Sequence, residues 1–419
     1  MKKYEKYKRT ESDWLPHTPS HWGFKRTKWI FKEIDERSES GQEELMSVSN
    51  YTGVTRRSEK NITMFMAEDY SGYKLCSKND LVVNILWAWM GAMGIAPERG
   101  IVSTAYGVYR FRNPTEMHPA YFEYLVRIPQ LVIEYGRRSK GVTPSRARLY
   151  SDSLFQIEFP IPPLIEQRAI TGFLDYKCRQ IDTFIEKKKR LIALLEEQRF
   201  AVMNQAITKG LDPNPQLRNT TNGFIGMIPV SWEVRKLKYM VKILNGQDAK
   251  EVEDEDGLYP IIGSGGEFGR ANSYLSMGPS VLLGRKGTID KPQFVDSPFW
   301  AVDTAFFTKI SSLVLPKYFY FLCRLIDFGR YQYGSAIPSM TQFVLNNIHF
   351  AIPRLEEQIE ILNYLKNELR SIDLTISAVE KEIDLVVKYK KSLIAHAVLG
   401  KIDVRDWTPP RKFSPNQPL

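Results

Sequence analysis

Apolar residues recur every seven positions near the end of the chain. Leu365, Ile372, Val379, Val386 and Leu393 mark one seam position; Leu369, Ile376, Ile383 and Ala397 mark the other, with Lys390 interrupting. A heptad stripe this long predicts a helix that pairs with another helix. The partner lies 191 positions upstream: Leu174, Ile181, Lys188, Leu195 and Val202, then Cys178, Ile185, Ile192, Arg199 and Ala206. Arg199 stands where Lys390 stands in the second stripe. One stripe alone fits an amphipathic core helix; two in register predict a pair of helices. Pro162, Pro163 and Pro353 stand just before the stripes, where a helix tolerates proline. Gly210, followed by Pro213 and Pro215, predicts the end of the first helix.

Between the stripes the pattern changes. LVVN (81–84), YGVYRF (106–111), SVLLG (280–284) and FWAVDTAFF (299–307) are rich in β-branched and aromatic residues and predict strands. HPAYFEYLVRIPQ (118–130) and LPKYFYFLCRLIDFG (315–329) predict one short helix in each block. The apolar stretch Leu81–Ala96 contains Asn84, Gly91 and Gly94 and is shorter than the ~20 residues of a spanning helix, so it reads as buried strand and loop.

The chain uses one layout twice. DWLPHTPSHWGFKRTKWIFKEI (13–34) aligns with GFIGMIPVSWEVRKLKYMVKIL (223–244) at an offset of 210, pairing Pro19 with Pro229, Trp22 with Trp232, Lys25 with Arg235 and Lys28 with Lys238. FPIPPLIEQRAITGFLDYKCRQID, from Phe159, aligns with FAIPRLEEQIEILNYLKNELRSID, from Phe350, at an offset of 191. That pairs Pro162 with Pro353, Leu164 with Leu355, Gln167 with Gln358 and Asp182 with Asp373; the first variable stretch is therefore 19 residues longer. The order is a variable block (1–160), a long helix (161–210), a Pro- and Asn-rich linker (211–222), a second block (223–351), a second helix (352–402) and a Pro-rich tail (403–419). The fold class expected is α+β: two mixed α/β domains separated by two long helices that form an antiparallel coiled coil, with an internal pseudo-twofold repeat.

Composition narrows the class. With 43% hydrophobic and 25% charged residues, the 419-residue chain predicts packed domains. A formal charge of +10 and a pI near 9.2 favour a polyanionic partner, with a solvated basic surface as the alternative. Cys76, Cys178 and Cys323 are too scattered for a disulfide framework, which fits a reducing cytoplasm. His17, His21, His118, His349 and His396 form no metal-ligand spacing. The basic N-terminus is followed by no apolar signal region.

Catalytic signatures are missing. There is no phosphate-cradling GxxxxGK[ST] and no NPPY- or DPPY-like tetrapeptide of an amino-methyltransferase. GSGGEFG (263–269) has the wrong glycine spacing for a nucleotide loop and reads as a strand-to-strand turn; in GRKGT (284–288) no Ser or Thr directly follows Lys286. The acidic run EVEDED (251–256) is contiguous and reads as a solvated loop rather than a metal site.

IP-x-x-W (228–232, with Thr18–Trp22 as its first copy), the P-[PR]-L-x-EQ turn ahead of each long helix, and AITKGLD (206–212) together resemble the specificity (S) subunit of Type I restriction-modification enzymes. GIVSTAYGVYRF (100–111) and YPIIGSGGEFG, VLLGRKGTI and FWAVDTAFF (within 259–307) also match the habits of that family. The first block departs from it: MGAMG (90–94) stands where GRKG stands in the second. The two blocks are then of different subtypes and read different half-sites.

The resemblance implies that each block is a target-recognition domain for half of a split double-stranded DNA sequence. The chain itself is non-catalytic and binds no cofactor. Two methyltransferase (M) subunits, carrying S-adenosylmethionine, dock on it and methylate an adenine in each half-site, flipped out of the stack. Up to two restriction endonuclease (R) subunits, using ATP and Mg, join them. Two other readings stay open: the specificity subunit of a Type IIB-like enzyme, and a coiled-coil scaffold with no DNA role.

Phosphates call for Lys and Arg, and bases for Arg, Asn, Gln or hydroxyls on loops and helix ends. GRRSKGVTPSRARLY (136–150) offers Arg137, Arg138, Lys140, Arg146 and Arg148; a solvated charge run is its alternative. GRYQYGSAIPSMTQF (329–343), at the same place before the second helix, offers Arg330, Gln332, Tyr333, Ser335, Thr341 and Gln342. Arg285 and Lys286 follow a strand. Trp22 and Trp232 read as core anchors rather than base stackers.

Overall fold

A computed structural model describes residues 2–60, 69–141, 147–220, 225–331, 338–408 and 410. The chain divides into two compact units, residues 1–188 with 381–419, and residues 189–380. Both boundaries fall inside the long helices, so each unit holds part of each helix.

Unit 1 is built on a four-stranded antiparallel sheet in the order Phe31–Ile34, Tyr106–Phe111, Leu81–Asn84, Met93–Ile95. LVVN is a buried strand, as its composition predicts: all four of its residues are buried. Against the sheet lie the single turn α1 (Thr27–Ile30) and the helices α2 (Pro119–Leu125), α3 (Pro129–Arg138) and α4 (Ser151–Phe155). The single helix expected over 118–130 ends instead at Leu125, and a second helix, α3, starts at Pro129. Pro129 explains the break: it cannot donate to the preceding turn, but it suits the first turn of a new helix. The N-terminal end of the long helix α5 (Leu164–Lys209) follows.

Unit 2 repeats the sheet order with Val241–Asn245, Ala305–Ile310, Ser280–Gly284 and Gln293–Val295. Its helices are α6 (Pro316–Arg324), α7 (Gln342–Asn347) and the long α8 (Leu355–Val398). GSGGEFG is the turn and second strand of a hairpin, Tyr259–Gly263 with Gly266–Ala271, as expected for a strand-to-strand connection. FWAVDTAFF is two strands rather than one, Trp300–Ala301 and Ala305–Ile310, with a turn between.

Each unit also pairs its entry strand with the strand that leads into a long helix. Gly23–Arg26 pairs with Glu158–Ile161 in unit 1, and Glu233–Lys236 pairs with His349–Ile352 in unit 2. Trp22 and Trp232 are fully buried anchors beside these strands. The last turns of the long helices complete the two cores: Ala397, Val398 and Leu399 at the end of α8 belong to the unit 1 core, and Met203, Ala206 and Ile207 of α5 to the unit 2 core. Two buried tyrosines clamp these ends. Tyr121 Oη donates to the Val398 carbonyl at 3.0 Å, and Tyr318 Oη to the Ile207 carbonyl at 3.2 Å.

The long helices run antiparallel in both units. In unit 1, Lys390 meets Asp182 at 2.6 Å and Lys188 meets Glu382 at 2.7 Å. In unit 2, Arg199 meets Asp373 at 2.9 Å. The basic residues that break the heptads therefore carry cross-helix charge pairs.

Candidate nucleic-acid interface

The motif P-[PR]-L-x-EQ is the joint that positions each block on its long helix. Gln167 and Gln358 are both completely buried. Gln167 Oε1 accepts the backbone N–H of His118 at 2.8 Å, while its Nε2 donates to the carbonyls of Pro162 at 2.9 Å and Glu116 at 3.2 Å. Gln358 repeats this with Leu315 N–H at 2.8 Å and the carbonyls of Pro353 at 3.0 Å and Leu313 at 3.2 Å. Each glutamine thus satisfies the backbone just ahead of a Pro-started helix, α2 or α6, where helix termini leave groups unpaired. The preceding glutamate differs. Glu166 accepts from Tyr4 Oη and contacts His21 Nε2 at 2.8 Å, whereas Glu357 accepts from Trp232 Nε1 at 2.9 Å.

The Arg-rich stretch of unit 1 starts on a helix, not in a loop. Arg137 and Arg138 close α3, where cations complement the helix dipole. Buried Glu134 faces both: it accepts from Arg138 Nε and lies 3.6 Å from Arg137 Nη1. Arg137 still leaves 61% of its side chain exposed, so the pair presents net positive charge to solvent. Lys140 and Arg148 are exposed and form a two-way backbone bridge, each N–H donating to the other's carbonyl at 2.9 Å. This bridge is the neck of the loop. Arg146 lies outside the described residues.

In unit 2 the corresponding segment packs on the GRKG turn. Met340 N–H donates to the Arg285 carbonyl at 2.9 Å, Gly287 N–H to the Pro338 carbonyl at 3.0 Å, and Lys286 bridges to Ser339. The turn needs its glycines: a Cβ on Gly284 would stand 2.2 Å from the Thr288 carbonyl oxygen, and Gly287 has φ +81°. Arg285 lies over the Phe306 ring at 6.0 Å, which leaves Lys286 as the exposed cation. Unit 1 docks its loop in the same way without the GRKG sequence. Leu149 N–H donates to the Ile85 carbonyl at 3.0 Å, and Ile85 follows strand 81–84 as Arg285 follows strand 280–284.

The structure brings Arg285 and Lys286 together with the end of the 329–343 segment. Thr341 is the N-cap of α7, its hydroxyl accepting Val344 N–H, and Gln342 Nε2 lies 3.4 Å from both the Ile243 carbonyl and Asn245 Oδ1. Arg330 is paired with Asp327 at 2.7 Å at the start of the segment. Gln332, Tyr333 and Ser335 lie outside the described residues. The Glu251–Asp256 run lies on a loop and is almost wholly exposed; among the described residues no group of His, Cys, Asp and Glu could hold a metal ion. Cys76, Cys178 and Cys323 are buried and free, and no helix of the described residues is long and apolar enough to cross a membrane. The positions that sequence reasoning passed over are the glutamine joints, read there only as a motif, and the basic turn at Lys28 and Lys238.

Comparison with known proteins gives these surfaces a context. The family model of the Type I restriction modification DNA specificity domain matches residues 229–384. The Type I restriction enzyme MjaVIII specificity subunit of Methanocaldococcus jannaschii is 25% identical over 362 residues, covering 79% of this chain and 81% of the relative. The EcoDI specificity subunit of Escherichia coli is 23% identical over 187 residues, 43% of this chain and 41% of the relative. A chain solved in work on assembly and conformational transition of the type I R-M system shares the fold with a TM-score of 0.70, at 14% identity, over 92% of this chain and 99% of its own. The HsdS subunit from Thermoanaerobacter tengcongensis has a TM-score of 0.51 at 13% identity, over 92% and 98%.

Proposed function

We infer that this chain, a relative of the Type I restriction-modification specificity subunits that carries their DNA specificity domain, is the DNA-reading subunit of such an enzyme. It binds a bipartite double-stranded target, one half-site per unit. It positions two methyltransferase subunits for adenine methylation and accepts up to two endonuclease subunits for restriction. The chemistry belongs to those partners: S-adenosylmethionine on the methyltransferase, ATP and Mg on the endonuclease. The chain itself is non-catalytic and works in the cytoplasm.

One observation carries the reading. The same sheet, glutamine joint and loop-docking bond occur in both units, while the loop sequences they support differ. A shared frame with unlike loops is what two different half-sites require, because bases are read by side chains at groove edges and not by the frame. The DNA contacts, to phosphates and to bases, fall to Arg137, Arg138, Lys140, Arg146 and Arg148 in unit 1. In unit 2 they fall to Arg285, Lys286, Arg330, Gln332, Tyr333, Ser335, Thr341 and Gln342. Methylome sequencing of a host that carries this chain with its methyltransferase partner tests the reading. The expected result is one split motif with a methylated adenine in each half. A host with no new methylated motif, or with a continuous one, contradicts it.

A further inference from the structure

The segments KRTKWIFK (Lys25–Lys32) and RKLKYMVK (Arg235–Lys242) align without a gap, and each cation of one meets a cation of the other. Lys25 matches Arg235, Arg26 matches Lys236, Lys28 matches Lys238 and Lys32 matches Lys242; neither segment holds an acidic residue. Each also carries an exposed aromatic at the same place, Trp29 at 64% and Tyr239 at 58%.

The backbone fixes that exposure. Thr27 N–H donates to the Ile157 carbonyl at 2.7 Å, and Leu237 N–H to the Ile348 carbonyl at 2.8 Å. The buried Thr27 and Ile30 flank Lys28–Trp29, as the buried Leu237 and Met240 flank Lys238–Tyr239. A turn held inward at both ends turns the residues between them outward, which leaves Trp29, Lys238 and Tyr239 exposed and Lys28 half-buried. In each unit the lysine Nζ lies 5.0 Å from the centre of the neighbouring ring.

The strands that leave these turns concentrate charge further. Lys32 stands directly opposite Arg110, and Lys242 directly opposite Lys309. Like charges so placed on an antiparallel ladder are destabilising. Asp80 and Glu36 offset Arg110 in unit 1, but neither Lys242 nor Lys309 has an ion-pair partner among the described residues. Both turns pack beside the short helix that follows the reading loop, α1 on α4 and the 237–239 turn on α7.

We propose that Lys25–Lys32 and Arg235–Lys242 grip the phosphate backbone of duplex DNA beside the two reading loops. The proposal rests on the DNA-reading function above and assigns it a sequence-independent part. Phosphate contacts fix register and carry no sequence information. They are therefore the contacts that two units with different half-sites can share, and these segments are the shared basic surface. The lysines and arginines supply charge, and Trp29 Nε1–H and Tyr239 Oη–H supply neutral donors. A protein partner docked alike on both units is the competing occupant. Arg26 lies 3.8 Å from Glu158 and Arg235 2.6 Å from Glu233, but the three lysines of each segment have no ion-pair partner among the described residues, and they favour the polyanion.

The test uses the full chain and a 30-base-pair duplex of random sequence, titrated over a range of salt. In the variant Lys28→Ala, Lys32→Ala, Lys238→Ala, Lys242→Ala, the slope of log K against log salt should fall by about 0.9 for each phosphate no longer neutralised, up to about 3.6. Cognate duplex should weaken by the same factor as random duplex, and the methylated motif should stay unchanged. Lys32, Lys238 and Lys242 are exposed and Lys28 half-buried, so an unaltered thermal midpoint checks the fold. An unchanged slope in a folded variant overturns the proposal while leaving the DNA-reading function intact. So does an unchanged slope accompanied by failure to assemble with the methyltransferase, which assigns the segments to protein docking. If the unaltered chain with its partner binds neither duplex, the function and the proposal fall together.

Discussion

Units 1 and 2 differ least where they hold their helices and most where they face solvent. Gln167 and Gln358 make the same three bonds to equivalent backbone groups. Tyr121 and Tyr318 clamp equivalent carbonyls. One residue before the glutamine the likeness ends: Glu166 is engaged by Tyr4 and His21, Glu357 by Trp232. In unit 1 the Trp22 Nε1 group has no partner among the described residues. The peripheral sheet differs too, a Met46–Ser49/Gly53–Arg56 hairpin in unit 1 against a Tyr259–Gly263/Gly266–Ala271 hairpin in unit 2. Groups that complete a buried backbone have few substitutes, because an unpaired buried amide costs about 1–3 kcal/mol. Groups at the rim are free to diverge, and the loops have done so.

The largest test of this division is exchange of a block. Replacing residues 220–350 with the second block of a related subunit should replace one half-site completely and leave the other unchanged, read by methylome sequencing. A change in both halves would show that the frame takes part in base reading. Next in size is the joint itself. Gln358→Ala should destabilise its surroundings by roughly 2–3 kcal/mol, because the Leu315 N–H and two carbonyls lose a buried partner together. Hydrogen exchange should show weakened amide protection around α6 with unit 1 unaffected, and Gln167→Ala should do the converse around α2. Equal weakening in both units from either substitution would show that the units do not open separately.

A smaller effect is expected from the loop of unit 1. Arg137, Arg138, Arg146 and Arg148 changed together to alanine should weaken binding of one half-site and flatten the salt dependence by about 0.9 for each phosphate left unneutralised. Arg137→Ala should contribute more than Arg138→Ala, because Arg138 is the closer partner of Glu134 and Arg137 is the more exposed. Normal binding by the quadruple variant within its complex would make this stretch a solvated surface.

The long helices and the doubled layout were legible in the sequence because heptads and repeats are periodic, and a period survives without coordinates. Strands 81–84, 106–111 and 280–284 were legible from β-branched and aromatic runs. The division at Pro129 was signalled by the proline itself, but the helix expected over 118–130 ran through it and stopped short of the rest of α3. What the sequence could not show was pairing across distance. Glu134 neutralises part of an arginine pair that composition counts as free charge. The bond from Leu149 to Ile85 has no sequence likeness to that from Met340 to Arg285, since both run through backbone atoms. The motif EQ marked the joint, yet its mechanism needed the position of His118 and Leu315.

The smallest expected effect concerns the charge pairs of the helices, and it tests the repeat most finely. Asp182 aligns with Asp373 and Arg199 with Lys390 at the offset of 191, so the Asp182–Lys390 and Asp373–Arg199 contacts are copies of one another in different units. Lys188–Glu382 has no such copy, since Val379 and Leu191 occupy its equivalents. All three are partly exposed, where double-mutant cycles return about 0.2–1 kcal/mol. The two copies should give coupling energies within about 0.5 kcal/mol of each other, the additivity error of such cycles, and both should shrink as salt screens them. Arg199→Lys should then be nearly neutral, because Lys390 already fills that role in the other unit with a single ammonium. If Arg199→Lys costs more than about 1 kcal/mol, the upper end for such exposed pairs, while the Lys390 cycle shows no coupling, the two contacts do not do the same job, and the repeat is one of backbone alone.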